Sequence, residues 1–107
     1  MPEENKKKLT EIITQYNIPL IEDDIYGELY FGKNRPRTCK YYDTKGLVMY
    51  CSSLSKSLAP GYRIGWAIPG KFIEEVKLIK RIQNISCPTL TQEAMAHFYR
   101  LDGMSII

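Results

Sequence analysis

Residues 47–68 read Leu47-Val48-Met49-Tyr50-Cys51-Ser52-Ser53-Leu54-Ser55-Lys56-Ser57-Leu58-Ala59-Pro60-Gly61-Tyr62-Arg63-Ile64-Gly65-Trp66-Ala67-Ile68. Two apolar runs, Leu47–Cys51 and Arg63–Ile68, flank a polar link, and each run has the length of a buried strand. The link Ser52–Tyr62 is shorter than the dozen or so residues of a usual parallel crossover, so an antiparallel pair is expected. Pro60-Gly61 supplies the turn, and Pro69-Gly70 closes the second run.

Upstream, Leu9, Ile12, Ile13 and Tyr16 recur at helical spacing, which predicts a helix from about Glu3 to Tyr16. Asn17 tolerates a left-handed cap and Pro19 cannot continue a helix. Pro19–Asp23 then reads as a short buried strand, with Leu20–Asp23 a parallel neighbour or near neighbour of Leu47–Cys51. Phe31–Lys45, rich in Lys, Arg, Asn, Pro and Gly, reads as an irregular surface excursion. Downstream, Phe72, Ile73, Val76, Ile79 and Ile82 predict an amphipathic helix over about Lys71–Asn84. A last helix is expected near Thr89, where Thr89 and Gln92 have capping-box spacing ahead of Leu90, Ala94, Phe98 and Leu101. Apolar strands mixed with amphipathic helices indicate an α/β fold with a sheet covered on both faces. Three strands make a poor stand-alone domain of that kind. Trp66, Phe72, Ile79 and Phe98 are therefore expected to expose apolar surface that a larger assembly would cover.

A chain of 107 residues has room for one domain. Its 44% hydrophobic and 25% charged residues suit a soluble globular protein, expected to be cytoplasmic. The net charge of +3 is small, and Lys6, Lys7 and Lys8 read as the wet face of a helix rather than a nucleic-acid site. The charged N-terminus is unlike a signal peptide, and no apolar run reaches the length of a membrane span. Cys39, Cys51 and Cys87 lack pair spacing, so free thiols are expected. With His97 the only histidine, a metal site is not expected.

Two constellations carry chemistry, both at strand ends, where open α/β sheets gather ligands. Ile21-Glu22-Asp23-Asp24-Ile25-Tyr26 ends a strand in carboxylates, which can bind a metal, cap a helix, contact a cation or form an ordinary acidic turn. In Ser52–Trp66, a serine cluster, Lys56 and Arg63 meet across a tight reversal. The planar fork of arginine matches phosphate oxygens, and serine hydroxyls donate at short range. A P-loop would need a glycine-rich spacing before the lysine, which is absent. Without Arg63, a polar turn with a surface lysine would be the default reading.

Ser-Leu-Ser-Lys-x-Leu-Ala-Pro-Gly-x-Arg-x-Gly-Trp, over residues 53–66, resembles the cofactor-lysine segment of fold type I aminotransferases. It is most similar to the branch of aromatic and aminoadipate aminotransferases and the aminotransferase-like domains of MocR/GntR-type transcription regulators. That branch also has a strand ending in Asp with Tyr three residues on, matched here by Asp23 and Tyr26. The step to Tyr26 favours Asp23 over Asp24. The resemblance runs over nearly the whole chain, in most detail from Leu20 to Gly70. It implies that residues 1–107 are part of the large pyridoxal 5'-phosphate-binding domain, a mostly parallel sheet with flanking helices, truncated at both ends.

By the same resemblance, Lys56 forms the Schiff base with the pyridoxal aldehyde and then shuttles a proton. Asp23 holds the proton of the pyridine nitrogen, Tyr26 donates to the ring hydroxyl oxygen, and Ser53, Ser55 and Arg63 hold the phosphate. The implied activity is transamination between an amino acid and a 2-oxo acid in a full-length homodimer. The alternatives are a cofactor-dependent effector domain of a MocR/GntR-type regulator, or an inactive truncated remnant. The fragment alone is expected to be inactive. No role with nucleic acid or membrane is expected of this segment.

Overall fold

The computed structural model describes residues 1–101. Helix α1 spans Glu3–Tyr16, with Glu3 and Glu4 in its first turn, where carboxylates favour the positive end of the helix dipole. It ends as its sequence predicts: Asn17 takes the left-handed conformation (φ 53°) and returns its N–H to the carbonyl of Ile13. Strand β1 is Leu20–Asp23, β2 is Val48–Ser53 and β3 is Gly65–Ile68, in spatial order β1-β2-β3. β1 and β2 run parallel, pairing Leu20 with Val48 through Asp23 with Cys51. β2 and β3 run antiparallel, pairing Tyr50 with Ile68 through Ser53 with Gly65. Both expected strand directions hold.

The core lies on one side of this sheet. Ile13, Cys39, Leu47 and Val48 are buried together, with Leu9, Leu20 and Phe72 packed against them. Only part of the predicted α1 stripe is used, since Ile12 and Tyr16 face outward. The excursion after Phe31 is not wholly irregular: Cys39–Tyr42 forms a short helix, α2, and Cys39 enters the core. Its first turn is capped from another element, because the Glu22 carboxylate accepts the N–H groups of Cys39 (2.7 Å) and Lys40 (2.9 Å). That long-range cap is what draws the loop inward.

Helix α3 spans Ile73–Gln83 and α4 spans Thr89–Arg100. Thr89 does not cap α4. It is the first helical residue, Pro88 sits in the cap position, and Pro88 O accepts the Gln92 N–H at 3.2 Å. Proline fits there because the first helical turn leaves its own N–H groups unpaired within the helix.

No residue of α3 is buried, and its apolar stripe faces solvent, with Ile79 52% and Ile82 75% exposed. Trp66 is exposed beside it. Phe72 is a correction to the expected exposed set, since it packs against the core, and Phe98 is half-buried. So much uncovered apolar surface has a measurable consequence. The isolated chain should bind a hydrophobic dye such as ANS and associate as its concentration rises in sedimentation. A compact, dye-silent monomer would contradict this picture of an uncovered face.

Among the described residues, no helix is long and apolar enough to cross a membrane. Cys39, Cys51 and Cys87 are free thiols, as their spacing predicts.

Candidate active site at the end of the sheet

Because β1 and β2 are parallel and β3 runs back, the carboxyl ends of β1 and β2 and the start of β3 share one end of the sheet. That end carries Asp23 and Tyr26 after β1, Ser53, Ser55 and Lys56 at and after β2, and Arg63 ahead of β3. All six residues singled out in the sequence therefore lie at or just beyond one end of the sheet, on three chain segments.

The acidic run resolves into separate jobs. Strand alternation half-buries Leu20 and Glu22 and exposes Ile21 and Asp23. Glu22 is used up capping α2. Asp24 is tied to the Arg35 guanidinium at 2.5 Å and to the Tyr50 hydroxyl at 3.1 Å. Asp23 keeps only a local contact, its Oδ1 accepting the Ile25 N–H at 3.3 Å. Of the three neighbouring carboxylates, Asp23 is the one left facing open space. Asp23 is also the carboxylate that the step to Tyr26 singled out in the sequence. Tyr26, two residues beyond the Asp24 tie, is 61% exposed.

Arg35 was not legible as a site residue. Its Nε donates to Glu28 at 2.8 Å while its Nη2 serves Asp24, and it also reaches the Tyr50 hydroxyl at 3.4 Å. Partial burial works against its charge, but the bonds to Glu28 and Asp24 outweigh it and hold the guanidinium protonated above its ordinary range. Burial, and the Asp24 charge behind it, pushes the Tyr50 hydroxyl up, so it stays a neutral donor to Asp24.

The serine cluster is built around a buried anchor that its composition hid. Leu54 is 1% exposed, and its carbonyl accepts the N–H groups of Leu58 (3.0 Å) and Ala59 (3.1 Å) while its own N–H bonds Ile64 O. This folds residues 54–59 into a tight knot and leaves Lys56 exposed on its outside. Ser53 Oγ accepts the Ser55 N–H at 3.3 Å, so both hydroxyl residues belong to one turn. Ser52 is diverted elsewhere, donating to Asp24 O at 3.0 Å and lacing β2 to the end of β1.

Arg63 does not open β3, contrary to the sequence reading. It ends the short 3-10 turn Pro60–Tyr62 in the left-handed conformation (φ 55°) and donates from Nη1 to Pro60 O at 3.2 Å. A non-glycine residue there costs roughly 1–3 kcal/mol. A hollow of about 280 Å³ beside Asp23 is lined by residues including Leu9, Leu20, Glu22 and Asp24; Lys56, Tyr26 and Arg63 do not line it.

The six residues place a carboxylate, a phenol, an amine, two hydroxyls and a guanidinium toward one end of the sheet. Comparison with known proteins identifies the family. The profile of a family described as "Aminotransferase class I and II" matches residues 1–102. The HTH-type transcriptional regulator YdcR of Escherichia coli is 39% identical over 95 residues, covering 89% of this chain and 20% of that protein. Aromatic-amino-acid aminotransferase 1 of Thermococcus litoralis is 37% identical over 93 residues, covering 86% and 22%. The crystal structure of a Pyrococcus horikoshii kynurenine aminotransferase in complex with PMP superposes with a TM-score of 0.90 at 30% identity, covering 98% of this chain and 26% of that one. The chain thus spans about a fifth of the length of the curated relatives it matches.

Proposed function

The chain belongs to the class I and II aminotransferase family, and from that premise we propose that it forms the lysine-bearing part of a pyridoxal 5'-phosphate site for transamination between an amino acid and a 2-oxo acid. The observation that carries the reading is the freedom of Asp23 while Glu22 and Asp24 are both engaged. When bound, the cofactor supplies an electron sink through its protonated ring nitrogen.

The side chains supply binding and proton handling. Lys56 would hold the aldehyde end of the cofactor through its amine, with water as the leaving group, and would afterwards carry a proton, a task a lysine can perform and an arginine cannot. Asp23 holds the proton on the ring nitrogen, and Tyr26 donates to the ring hydroxyl oxygen. Ser53, Ser55 and Arg63 hold the phosphate. In this reading, residues 1–107 are a segment of the large cofactor-binding domain, and the complete site belongs to a homodimer. Similarity to YdcR supports a second reading, in which the same site serves an effector domain of a MocR/GntR-type regulator.

The test is titration with the cofactor, borohydride reduction and peptide mapping. A pyridoxyl group is expected on Lys56, and label on Lys40 or Lys45 instead would overturn the assignment. Arg63→Gly separates phosphate binding from architecture. Relief of the left-handed arginine should leave stability unchanged or raise it by up to about 1 kcal/mol. Loss of a charge-assisted contact should weaken cofactor affinity about tenfold. Unchanged affinity would remove Arg63 from the site.

A further inference from the structure

We propose that Arg35 is the positioning residue of this site, a strut that spans the turn after β1 and sets Asp23 and Tyr26 toward the lysine end of the sheet. The proposal rests on the cofactor reading above and names a residue which that reading does not use.

The turn carrying Tyr26 is weakly held by itself. Its local bonds are Gly27 N–H to Asp24 O (3.0 Å) and Leu29 N–H to Tyr26 O (2.9 Å), and Tyr26, Glu28 and Leu29 are exposed. Its first residue is well anchored on β2: Asp24 N–H bonds Cys51 O at 2.9 Å, Asp24 O accepts from Ser52, and the Asp24 carboxylate accepts from Tyr50. Its last residue, Glu28, is joined to that anchor through Arg35, whose Nε takes Glu28 while Nη2 takes Asp24. Only a planar fork bridges two carboxylates in this way; a lysine would serve one at a time.

The strut also shapes the residue between its ends. A Cβ at Gly27 would run into the Arg35 guanidinium and the Asp24 carboxylate, so a side chain there would push the two out of their present pairing. Charge supports the same conclusion. Arg35 pairs with both Asp24 and Glu28, whose like charges would otherwise repel each other across the turn.

Arg35→Met and Arg35→Lys, made in the whole chain, test this by amide hydrogen exchange and by the absorbance of bound cofactor. In Arg35→Met, residues 24–29 should exchange roughly three- to tenfold faster while α1 and β2 keep their protection. Pyridoxyl label should still reach Lys56, but the near-visible band of the bound cofactor should shift, because Asp23 and Tyr26 no longer meet the ring in place. Arg35→Lys should restore part of both signals. Gly27→Ala, which displaces the guanidinium while keeping the arginine, should reproduce both effects and stands in if Arg35→Met fails to fold. Unchanged exchange in the turn overturns the strut. Faster exchange with an unshifted band reduces Arg35 to an architectural role and overturns its positioning one. A wild-type chain that takes no label at Lys56 overturns the cofactor reading instead, and exchange alone then decides the strut.

Discussion

Lys56→Ala is expected to eliminate the near-visible absorbance that pyridoxal 5'-phosphate acquires on this chain, and with it all borohydride-stable label. The loss should be complete rather than partial, because covalent capture of an aldehyde needs an amine and no hydroxyl or guanidinium at this sheet end can replace it. Three of the other lysines are committed elsewhere. Lys40 Nζ donates to Asp43 and to Val48 O, Lys45 Nζ to Thr14 O, and Lys71 Nζ to Asn17. Weak, reversible binding should survive in Lys56→Ala, since Ser53, Ser55 and Arg63 are untouched and the phosphate contacts proposed for them do not depend on the amine. Equilibrium dialysis against the cofactor, run beside the absorbance titration, separates the two. An absorbance band that persists in Lys56→Ala would place the covalent site on another residue.

Asp43→Ala is expected to be the most destabilising polar substitution in the chain. The Asp43 side chain is 1% exposed. Its carboxylate accepts the N–H groups of Lys45 (3.1 Å), Leu47 (3.0 Å) and Val48 (3.0 Å), together with Lys40 Nζ at 3.0 Å. It thereby fixes the entry to β2, whose neighbours Leu47 and Val48 are the most deeply buried residues of the core. Alanine leaves these donors facing a void, a loss of about 3 kcal/mol. Asparagine offers little relief, because its amide nitrogen would face, as donor against donor, either the Val48 N–H and the Lys40 ammonium or the Lys45 and Leu47 N–H groups.

The pH dependence has a definite sign. Burial opposes ionisation of Asp43, but the Val48 N–H, Lys40 and the Leu47 N–H outweigh it and hold the carboxyl below its ordinary value of 3.8. A carboxyl lowered in the folded state stabilises fully above its unfolded value and loses that contribution as pH falls through the folded one. Urea unfolding should therefore show the gap between wild type and Asp43→Ala constant near neutrality and closing below about pH 4. A gap that widens toward acid would reverse the assignment.

The amino-acid sequence by itself determined the features that local chemistry dictates. The limits of α1 follow from helical spacing and the two residues that end it, Asn17 and Pro19. Strand directions follow from link length, because a short link cannot carry a chain back to the start of a parallel neighbour. Lys56, Asp23 and Tyr26 stand out as candidates because their identities and intervals sit in contiguous motifs that resemble those of the family.

Tertiary structure alone decided which carboxylate is free, which face of the sheet is covered, and where Arg35 goes. The Arg35 ties to Asp24 and Tyr50 join residues 11 and 15 positions apart, and the Glu22 cap reaches Cys39 across 17. No periodicity marks such pairs, since they form only once a parallel strand pair has brought distant backbone together. The same holds for Arg63, whose strained left-handed backbone is imposed by closure of the Pro60–Tyr62 turn and not by its own preference. Propensity and spacing act between neighbours in the chain, whereas burial and charge pairing act between neighbours in space, and only the fold makes one from the other.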